Sequence, residues 1–132
     1  TLFNPPDMRA AIDAQLRQRR LPVPRTAAGY ARLICESLGA GHATAMRRFQ
    51  ELSGRRFARI LMVGGGAKNS LLAQATADAA QVPVHALALE GSATGNIASQ
   101  LIALGAVKDL AQFRAAIATQ FRPTIYTPSA TG

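Results

Sequence analysis

Three consecutive glycines separate two apolar stretches in the segment ILMVGGGAKNSLL, residues 60–72. Glycine loses more conformational entropy on folding than any other residue, so three in a row need a physical reason. Either the turn is too tight for side chains, or another molecule lies against the bare backbone. The second reason would be nucleotide binding, because backbone N–H groups at the start of a helix attract phosphate and glycine has no Cβ to block its approach.

Two widespread nucleotide-binding motifs do not fit these residues. The P-loop needs a lysine followed by Ser or Thr, whereas Lys68 is followed by Asn69. The dinucleotide fingerprint needs a third glycine at the position that Asn69 occupies. Asn69 also suits the N-cap of a helix. On these residues alone, a structural turn with an asparagine cap and a nucleotide site are equal alternatives.

The segments around the glycines predict an α/β fold. We expect a strand over residues 57–63, a helix over about 70–80, a second strand over 82–89, a Gly-rich turn GSATGN and a helix over 97–105. Two strand–turn–helix units in succession favour a parallel pair of strands. The nearly continuous apolar character of the first strand is typical of a strand covered on both faces.

Two helices are predicted before these units, and one helix after them. The first helix starts at an Asp7 cap and ends near Arg20, and the last helix starts at Asp109. The long second helix is capped by Thr26 and stops at Gly54. Its predicted buried stripe consists of Tyr30, Ile34, Leu38, Gly41, Ala45, Phe49 and Leu52. Gly39 and Gly41 weaken this helix, so we expect another backbone to come close to them.

The charge of the chain is strongly basic and uneven. The 132 residues carry a net charge of +8, and residues 1–59 hold 11 of the 15 Lys and Arg. A basic half is compatible with nucleic-acid binding, but aromatic residues make up only 5% and Trp is absent, so no platform for stacking bases is expected. We favour a solvated Arg-rich face and expect no nucleic acid as a partner. A basic α/β nucleic-acid-binding module remains the alternative from a different class.

The sequence offers few metal ligands and no membrane span. Cys35 is the single cysteine and is expected to be a small core residue in a reducing compartment. With only His42 and His85 beside it, a zinc site lacks soft ligands, so no metal is expected to be held by this chain alone. His42 is expected to be a packed, neutral histidine. No apolar run is long enough to cross a bilayer, so no membrane partner is expected.

The segments ILMVGGGAKNSLLAQATADAAQVPV and GSATGNIASQLIALG resemble the C-terminal part of the FGGY carbohydrate kinases. The resemblance implies part of a ribonuclease H-like domain of the actin/hexokinase superfamily, with two parallel strands flanked by helices. Residues 1–132 would be the C-terminal part of the ATP-side domain, with a leading helix and linker over 1–25 and an extended tail over 122–132. The Gly-Asn-Ile sequence at 95–97 and FNPPDMRAAI near the start are most similar to the rhamnulokinase branch of the family.

The resemblance implies an adenosine site for ATP or ADP on the glycine turn. Gly65 is the best single contact and Asn69 the second, while Gly64 and Gly66 shape the turn. The whole cytoplasmic enzyme would transfer the γ-phosphate of ATP, with Mg²⁺, to the 1-hydroxyl of L-rhamnulose. Another FGGY ketose or polyol kinase, xylulokinase-like or glycerol-kinase-like, is the close alternative.

The same resemblance implies that the catalytic aspartate lies outside this chain. We therefore expect no catalytic residue here, and the chain by itself is predicted to be inactive. The aspartates Asp7, Asp13, Asp78 and Asp109 are expected to be helix caps or surface charges. Two strands make an incomplete sheet, and an unpaired apolar strand edge predicts self-association.

Overall fold

The structure is a computed structural model that describes residues 2–129. Within those residues, the chain forms five α-helices and a three-stranded mixed sheet. In chain order the elements are α1 (Met8–Gln18), α2 (Ala27–Ser53), β1 (Ile60–Val63), α3 (Ser70–Ala80), β2 (Val84–Leu87), α4 (Gly91–Ala103), α5 (Leu110–Gln120) and β3 (Thr124–Tyr126). The predicted α/β class and both strand–turn–helix units are confirmed. The chain divides into two compact units, one ending at Ile34 and the other beginning at Cys35.

In the first unit, side chains of α1 contact Tyr30 at the start of α2 through a hydrogen bond and a cation–π contact. Asp7 is the N-cap of α1, as predicted, because its carboxylate accepts a hydrogen bond from the Ala10 N–H at 2.9 Å. The Tyr30 hydroxyl donates to Asp13 at 2.6 Å. The Arg9 guanidinium lies 4.8 Å from the centre of the Tyr30 ring, within the range of a cation–π contact.

The sheet has the strand order β1-β2-β3. β1 and β2 are parallel, with Ile60 paired with Val84, and β2 and β3 are antiparallel, with Val84 paired with Tyr126. The extended tail predicted over 122–132 therefore contains a short strand, β3, which was not predicted from the sequence. The residues of β3 favour extended structure, whereas prolines on either side limit the length of the pairing. The last three residues of the predicted tail, 130–132, lie outside the described residues.

The core of the second unit lies between the sheet and α3. Its buried members are mostly small: Met62, Ala67, Ala73, Ala77, Val84 and Ala86. A second cluster joins α2 to α3 through Ala43, Met46 and Ala80. Small side chains allow these elements to approach closely, which favours dense packing over large individual contacts.

The buried face of α2 differs from the predicted stripe. Tyr30 is buried as expected, but Leu38, Phe49 and Leu52 are 49%, 62% and 85% exposed. The buried positions of α2 in the second unit are Cys35, Gly39, Ala43 and Met46. A Cβ at Gly39 would lie 2.7 Å from the carbonyl carbon and oxygen of Ala75 on α3, so the predicted close approach of a backbone is confirmed there.

The reason for the difference is the closeness of α2 and α3. Bulky side chains cannot fit between helices whose backbones nearly touch, so small residues take the buried side and large ones are left outside. The prediction that another backbone comes close was wrong at Gly41, where an added Cβ would meet nothing within 4 Å. Hydrophobic size alone therefore indicated the wrong face.

Helix α4 begins earlier than predicted. The residues GSATGN, predicted as a turn, are helical from Gly91 onward, and the Thr94 N–H already donates to the Glu90 carbonyl at 2.9 Å. A glycine disfavours the interior of a helix by only about 1 kcal/mol relative to alanine. The packing of this helix, in which Ala98 is 2% exposed, outweighs that local preference.

Asp78 on α3 fixes the segment that follows β3. Its carboxylate accepts hydrogen bonds from the Ser129 N–H at 2.7 Å and from the Gln74 amide at 2.9 Å. The same Gln74 amide donates to the Thr127 carbonyl at 2.8 Å. The Ser129 N–H, and after it the Gln74 amide, lower the pKa of the Asp78 carboxyl below its ordinary value of 3.8.

We expect the stability that Asp78 contributes to disappear in acid. A carboxyl whose pKa is lowered by folding stabilises the folded state above its unfolded pKa, here 3.8, and this contribution is lost as the pH falls through the folded pKa. Asp78→Asn should lower the free energy of unfolding at pH 7 by less than about 1 kcal/mol, since the carboxylate is only half-buried and its partner Ser129 is exposed to screening by solvent. Urea unfolding at pH 7 and pH 3 measures this, and the gap between the variant and the unsubstituted chain should be smaller at pH 3 than at pH 7.

The matched control is Asp7→Asn, because asparagine is as good a helix cap as aspartate. It should change stability little at either pH. A gap for Asp78→Asn that is equally large at pH 3 and pH 7 would contradict the assignment.

Candidate nucleotide-binding site

The glycine turn begins with a residue whose backbone only glycine adopts readily. Gly64 has φ 75° and ψ −154°, a conformation that is strained for any residue with a Cβ. Its N–H donates to the Leu89 carbonyl at 2.9 Å, and its carbonyl accepts from the Ala67 N–H at 3.1 Å. The turn is therefore anchored to the segment after β2. The backbone conformation alone therefore explains why position 64 is a glycine.

The next two glycines are not explained in the same way. Neither Gly65 nor Gly66 has a positive φ, and both lie in a short 3-10 helix, Gly65–Lys68. A Cβ at Gly65 would meet nothing within 4 Å, and one at Gly66 would make ordinary contacts with Leu72 and Met62 at 3.8 and 3.9 Å. Packing within the described chain therefore does not require glycine at position 65.

Asn69 is the N-cap of α3. Its Oδ1 accepts a hydrogen bond from the Leu72 N–H at 3.0 Å, and its Nδ2 lies 3.7 Å from the Cys35 sulfur, to which it donates. The capping alternative raised by the sequence is thus what the structure shows. A cap and a ligand contact are compatible, because the Asn69 side chain is exposed. Its contact with a nucleotide remains a prediction.

The glycine turn lies at the carboxyl edge of the parallel strand pair. β1 ends at Val63 and β2 at Leu87, and a Cβ built on Gly91, the first residue of α4, would lie 3.9 Å from the Val63 side chain. In open α/β sheets, ligands bind beyond the carboxyl ends of the strands. The N-terminal ends of α3 and α4 both begin at this edge, and helix N-termini carry partial positive charge.

Sequence reasoning missed two members of this region. The start of α4 at Gly91 was obscured because two glycines, a serine and a threonine in six residues are typical of a turn. The contact between Cys35 and Asn69 joins residues 34 positions apart, and nothing in the local pattern indicates it.

The four aspartates all bind protein groups. The predicted cap is confirmed for Asp7 and Asp109, whereas Asp13 and Asp78 are half-buried and bind partners that the sequence did not indicate. Asp109 caps α5 by accepting from the Gln112 N–H at 2.8 Å. Asp7 caps α1, Asp13 binds Tyr30, and Asp78 binds Ser129.

His42 is exposed and not packed, which corrects the expectation for this residue. Its Nδ1 lies 3.0 Å from the Thr76 hydroxyl, which itself donates to the Leu72 carbonyl at 2.8 Å. Since that hydroxyl proton is already used, the Nδ1 of His42 must be the donor in their contact. His85 lies half-buried in β2.

Two negative findings apply to residues 2–129. No group of three or more His, Cys, Asp or Glu residues in this range is placed to hold a metal ion. None of the helices described there has the length and apolar character needed to cross a membrane.

Comparisons with known proteins find the family that the sequence around the glycine turn resembles. Residues 1–104 match the FGGY family of carbohydrate kinases, C-terminal domain. A protein named rhamnulokinase from Pectobacterium atrosepticum is 42% identical over 128 residues, which are 97% of this chain and 26% of the relative. A rhamnulokinase from Yersinia pestis is 40% identical over 119 residues, 90% of this chain and 24% of the relative. This chain spans about a quarter of the length of these relatives, and it belongs to the FGGY family of carbohydrate kinases.

Proposed function

We propose that the chain is the adenine-nucleotide-binding portion of a sugar kinase. Gly65 carries the proposal, because it is exposed and neither its backbone conformation nor its neighbours require glycine. A nucleotide lying against this bare backbone accounts for the residue. In this arrangement the backbone of Gly64–Gly66 packs against the ribose and α-phosphate, and Asn69 meets the edge of the base. A ribonuclease H-like fold of the actin/hexokinase type is part of the same proposal.

The proposed reaction belongs to the longer protein and not to this chain. The whole enzyme would transfer the γ-phosphate of ATP, with Mg²⁺, to the 1-hydroxyl of L-rhamnulose in the cytoplasm. The relatives named rhamnulokinase support this choice of substrate over another ketose or polyol. Xylulokinase-like and glycerol-kinase-like activities are the alternatives within the family.

We further propose that the chain alone does not catalyse phosphoryl transfer. This reaction needs groups that position the phosphate and neutralise its charge from several sides. The described aspartates are caps or partners of other protein groups, so none of them stands ready as a base. Incubation of the purified chain with ATP, Mg²⁺ and L-rhamnulose should yield no sugar phosphate, and measurable turnover would overturn this statement.

Nucleotide binding is tested by titrating ADP into the chain while recording amide NMR signals. We expect the signals of residues 64–69 to shift in a saturable way, because the ligand lies against their N–H groups. The amides of α5 serve as the internal control and should not move. If ADP causes no saturable shift in the amide signals of residues 64–69, the proposed site is wrong for this chain.

The free edge of the sheet supports a proposal about self-association. β1 is an edge strand of the sheet. The Ile60 N–H donates to the Pro83 carbonyl beside β2 at 2.9 Å. Because successive residues of a strand direct their backbone groups to opposite sides, the N–H and C=O groups of Leu61 and Val63 point away from β2. The side chains of Leu61 and Val63 are also 62% and 49% exposed. An unpaired apolar edge of this kind readily pairs with another strand, and we propose that a second copy of the chain takes this place.

Light scattering of the chain and of Leu61→Lys tests the pairing. We expect dimers or larger species for the unsubstituted chain and a shift to monomer for the variant, because a lysine on an edge strand opposes pairing. Leu104→Lys is the control, since Leu104 is 81% exposed and lies outside the sheet. A purely monomeric unsubstituted chain would exclude the dimer.

A further inference from the structure

A cavity of about 420 Å³ opens between the end of α2 and the loop that follows this helix. Six residues line it, and three of them are arginines: Arg47, Gln50, Glu51, Gly54, Arg55 and Arg56. Its volume lies in the range of small-molecule sites, about 300–1,000 Å³. The loop of the cavity precedes β1 and the glycine turn follows β1, so the two regions are attached to opposite ends of that strand.

The loop that forms one wall of the cavity is fixed to α2 by side chains of the helix. The Gln50 Oε1 accepts a hydrogen bond from the Phe57 N–H at 2.8 Å. The Ser53 hydroxyl accepts from the Arg55 N–H at 3.3 Å and donates to the Phe49 carbonyl at 2.6 Å. These bonds hold the backbone of the loop, and with it the arginines of the loop, beside the helix.

The charges that line the cavity are not balanced by the protein. Within residues 2–129, the guanidinium groups of Arg47, Arg55 and Arg56 form no ion pair with a carboxylate. Glu51 is the acidic residue of the lining, so three positive charges face one negative charge. Like charges that are close together repel, and an anion bound among them relieves the repulsion. Since a guanidinium binds a phosphate through two parallel N–H bonds, the cavity is suited to a phosphate group.

The other polar side chains of the lining are suited to hydroxyl groups. The Glu51 carboxylate only accepts hydrogen bonds, so beside a phosphate it favours a ligand that also brings a donor. The Gln50 amide uses its Oε1 on Phe57, while its Nε2 hydrogens have no acceptor within the described part of the chain. A hydroxyl group can donate to the carboxylate and accept from the amide N–H.

We infer that this cavity is a binding site for a phosphate ester that carries hydroxyl groups, that is, a polyol phosphate or a sugar phosphate. The arginines bind the phosphate, and Glu51 accepts a hydrogen bond from a hydroxyl. A phosphate ester without hydroxyl groups meets the same arginines but offers Glu51 no donor, so it binds more weakly. The site shares no residue with the glycine turn, and the inference does not depend on the proposed nucleotide site.

Amide NMR titrations of the chain with sn-glycerol 3-phosphate and with propyl phosphate test the site. The two probes have the same three-carbon chain and the same charge, but only the first has hydroxyl groups. We expect saturable shifts at residues 54–57 with both probes and none in β2, the central strand of the sheet. Glycerol phosphate should bind about 2- to 10-fold more tightly than propyl phosphate, as expected for one additional hydrogen bond.

Combining Arg55→Gln with Arg56→Gln removes the two guanidinium groups of the loop. This double variant should weaken the binding of both probes at least tenfold, because the charge-assisted bonds to phosphate are lost. Arg114→Gln combined with Arg122→Gln is the matched control, since both residues are exposed and lie outside the cavity. The control should change each Kd by less than about twofold, because distant exposed charges are screened. Equal losses in the two double variants would indicate attraction to net charge and overturn the inference.

Glu51→Ala separates the recognition of the hydroxyl from that of the phosphate. The variant removes a negative charge, so propyl phosphate should bind more tightly. It also removes an acceptor, so the preference for glycerol phosphate should fall to about half its value or less. Alanine is a good helix former, which preserves α2. An unchanged preference would overturn the role given to Glu51.

The titrations also distinguish the site from a solvated arginine surface. If neither probe shifts residues 54–57 in a saturable way, these arginines only complement the negative end of α2, and the inference fails. Because the cavity and the glycine turn share no residue, that result would leave the proposed nucleotide site standing. Equally, a failure of ADP to bind the glycine turn would leave the phosphate-ester site standing.

Discussion

Replacing Gly39 with alanine is expected to lower the free energy of unfolding by about 1–3 kcal/mol, the range typical of overpacking. The new Cβ would lie 2.7 Å from the backbone carbonyl of Ala75 and 2.9 Å from the Thr76 nitrogen. Backbone atoms cannot move aside as a flexible side chain does, so α2 and α3 must separate. Urea unfolding followed by circular dichroism measures the loss.

Gly41→Ala provides the control on the same helix. An added Cβ at Gly41 meets nothing within 4 Å, so only the helix propensity changes. We expect this variant to be more stable by up to about 1 kcal/mol, because alanine is the better helix former. Two glycines two residues apart should thus respond in opposite directions. Destabilisation by both substitutions, or by neither, would contradict the close packing of α2 on α3.

Replacing Gly65 with alanine is expected to weaken ADP binding at least tenfold while leaving the free energy of unfolding unchanged within about 0.5 kcal/mol. The chain has open space at this position, so the added methyl group clashes only with a molecule seated on the turn. The measurement is an ADP titration by amide shifts, paired with urea unfolding of the same sample.

Gly64→Ala separates backbone strain from ligand contact. Gly64 has φ 75° and ψ −154°, and an alanine there costs about 1–3 kcal/mol. This variant should therefore lose stability, whereas Gly65→Ala should not. If Gly65→Ala binds ADP as well as the unsubstituted chain, the proposed contact at Gly65 is wrong.

Short-range features of the fold could be predicted from the sequence because their causes lie within a few residues. Asp7, Thr26 and Asp109 cap the helices for which they were predicted, each by accepting from an N–H three residues ahead. Gly54 follows the end of α2 with a φ of 65°, as expected for a helix stop. The parallel pair followed from two successive strand–turn–helix units.

Features that depend on distant partners could not be predicted in the same way. β3 forms because Tyr126 pairs with Val84, which is remote in sequence. The buried face of α2 is decided by the approach of Gly39 to Ala75 on α3, and no periodicity within α2 reveals that distance. The glycine turn could be predicted only in part. Its tight backbone at Gly64 was one of the two reasons predicted, whereas the bare surface at Gly65 needed three-dimensional neighbours to be noticed.

The sheet order has a thermodynamic consequence for ligand binding. β3 covers the far side of β2, so the open side of the sheet belongs to β1, the strand that leads directly into Gly64. A segment that docks along β1 and a nucleotide on the turn would therefore share one short stretch of backbone. Any such segment that tightens nucleotide binding must itself be held more tightly, by the same factor, when nucleotide is present.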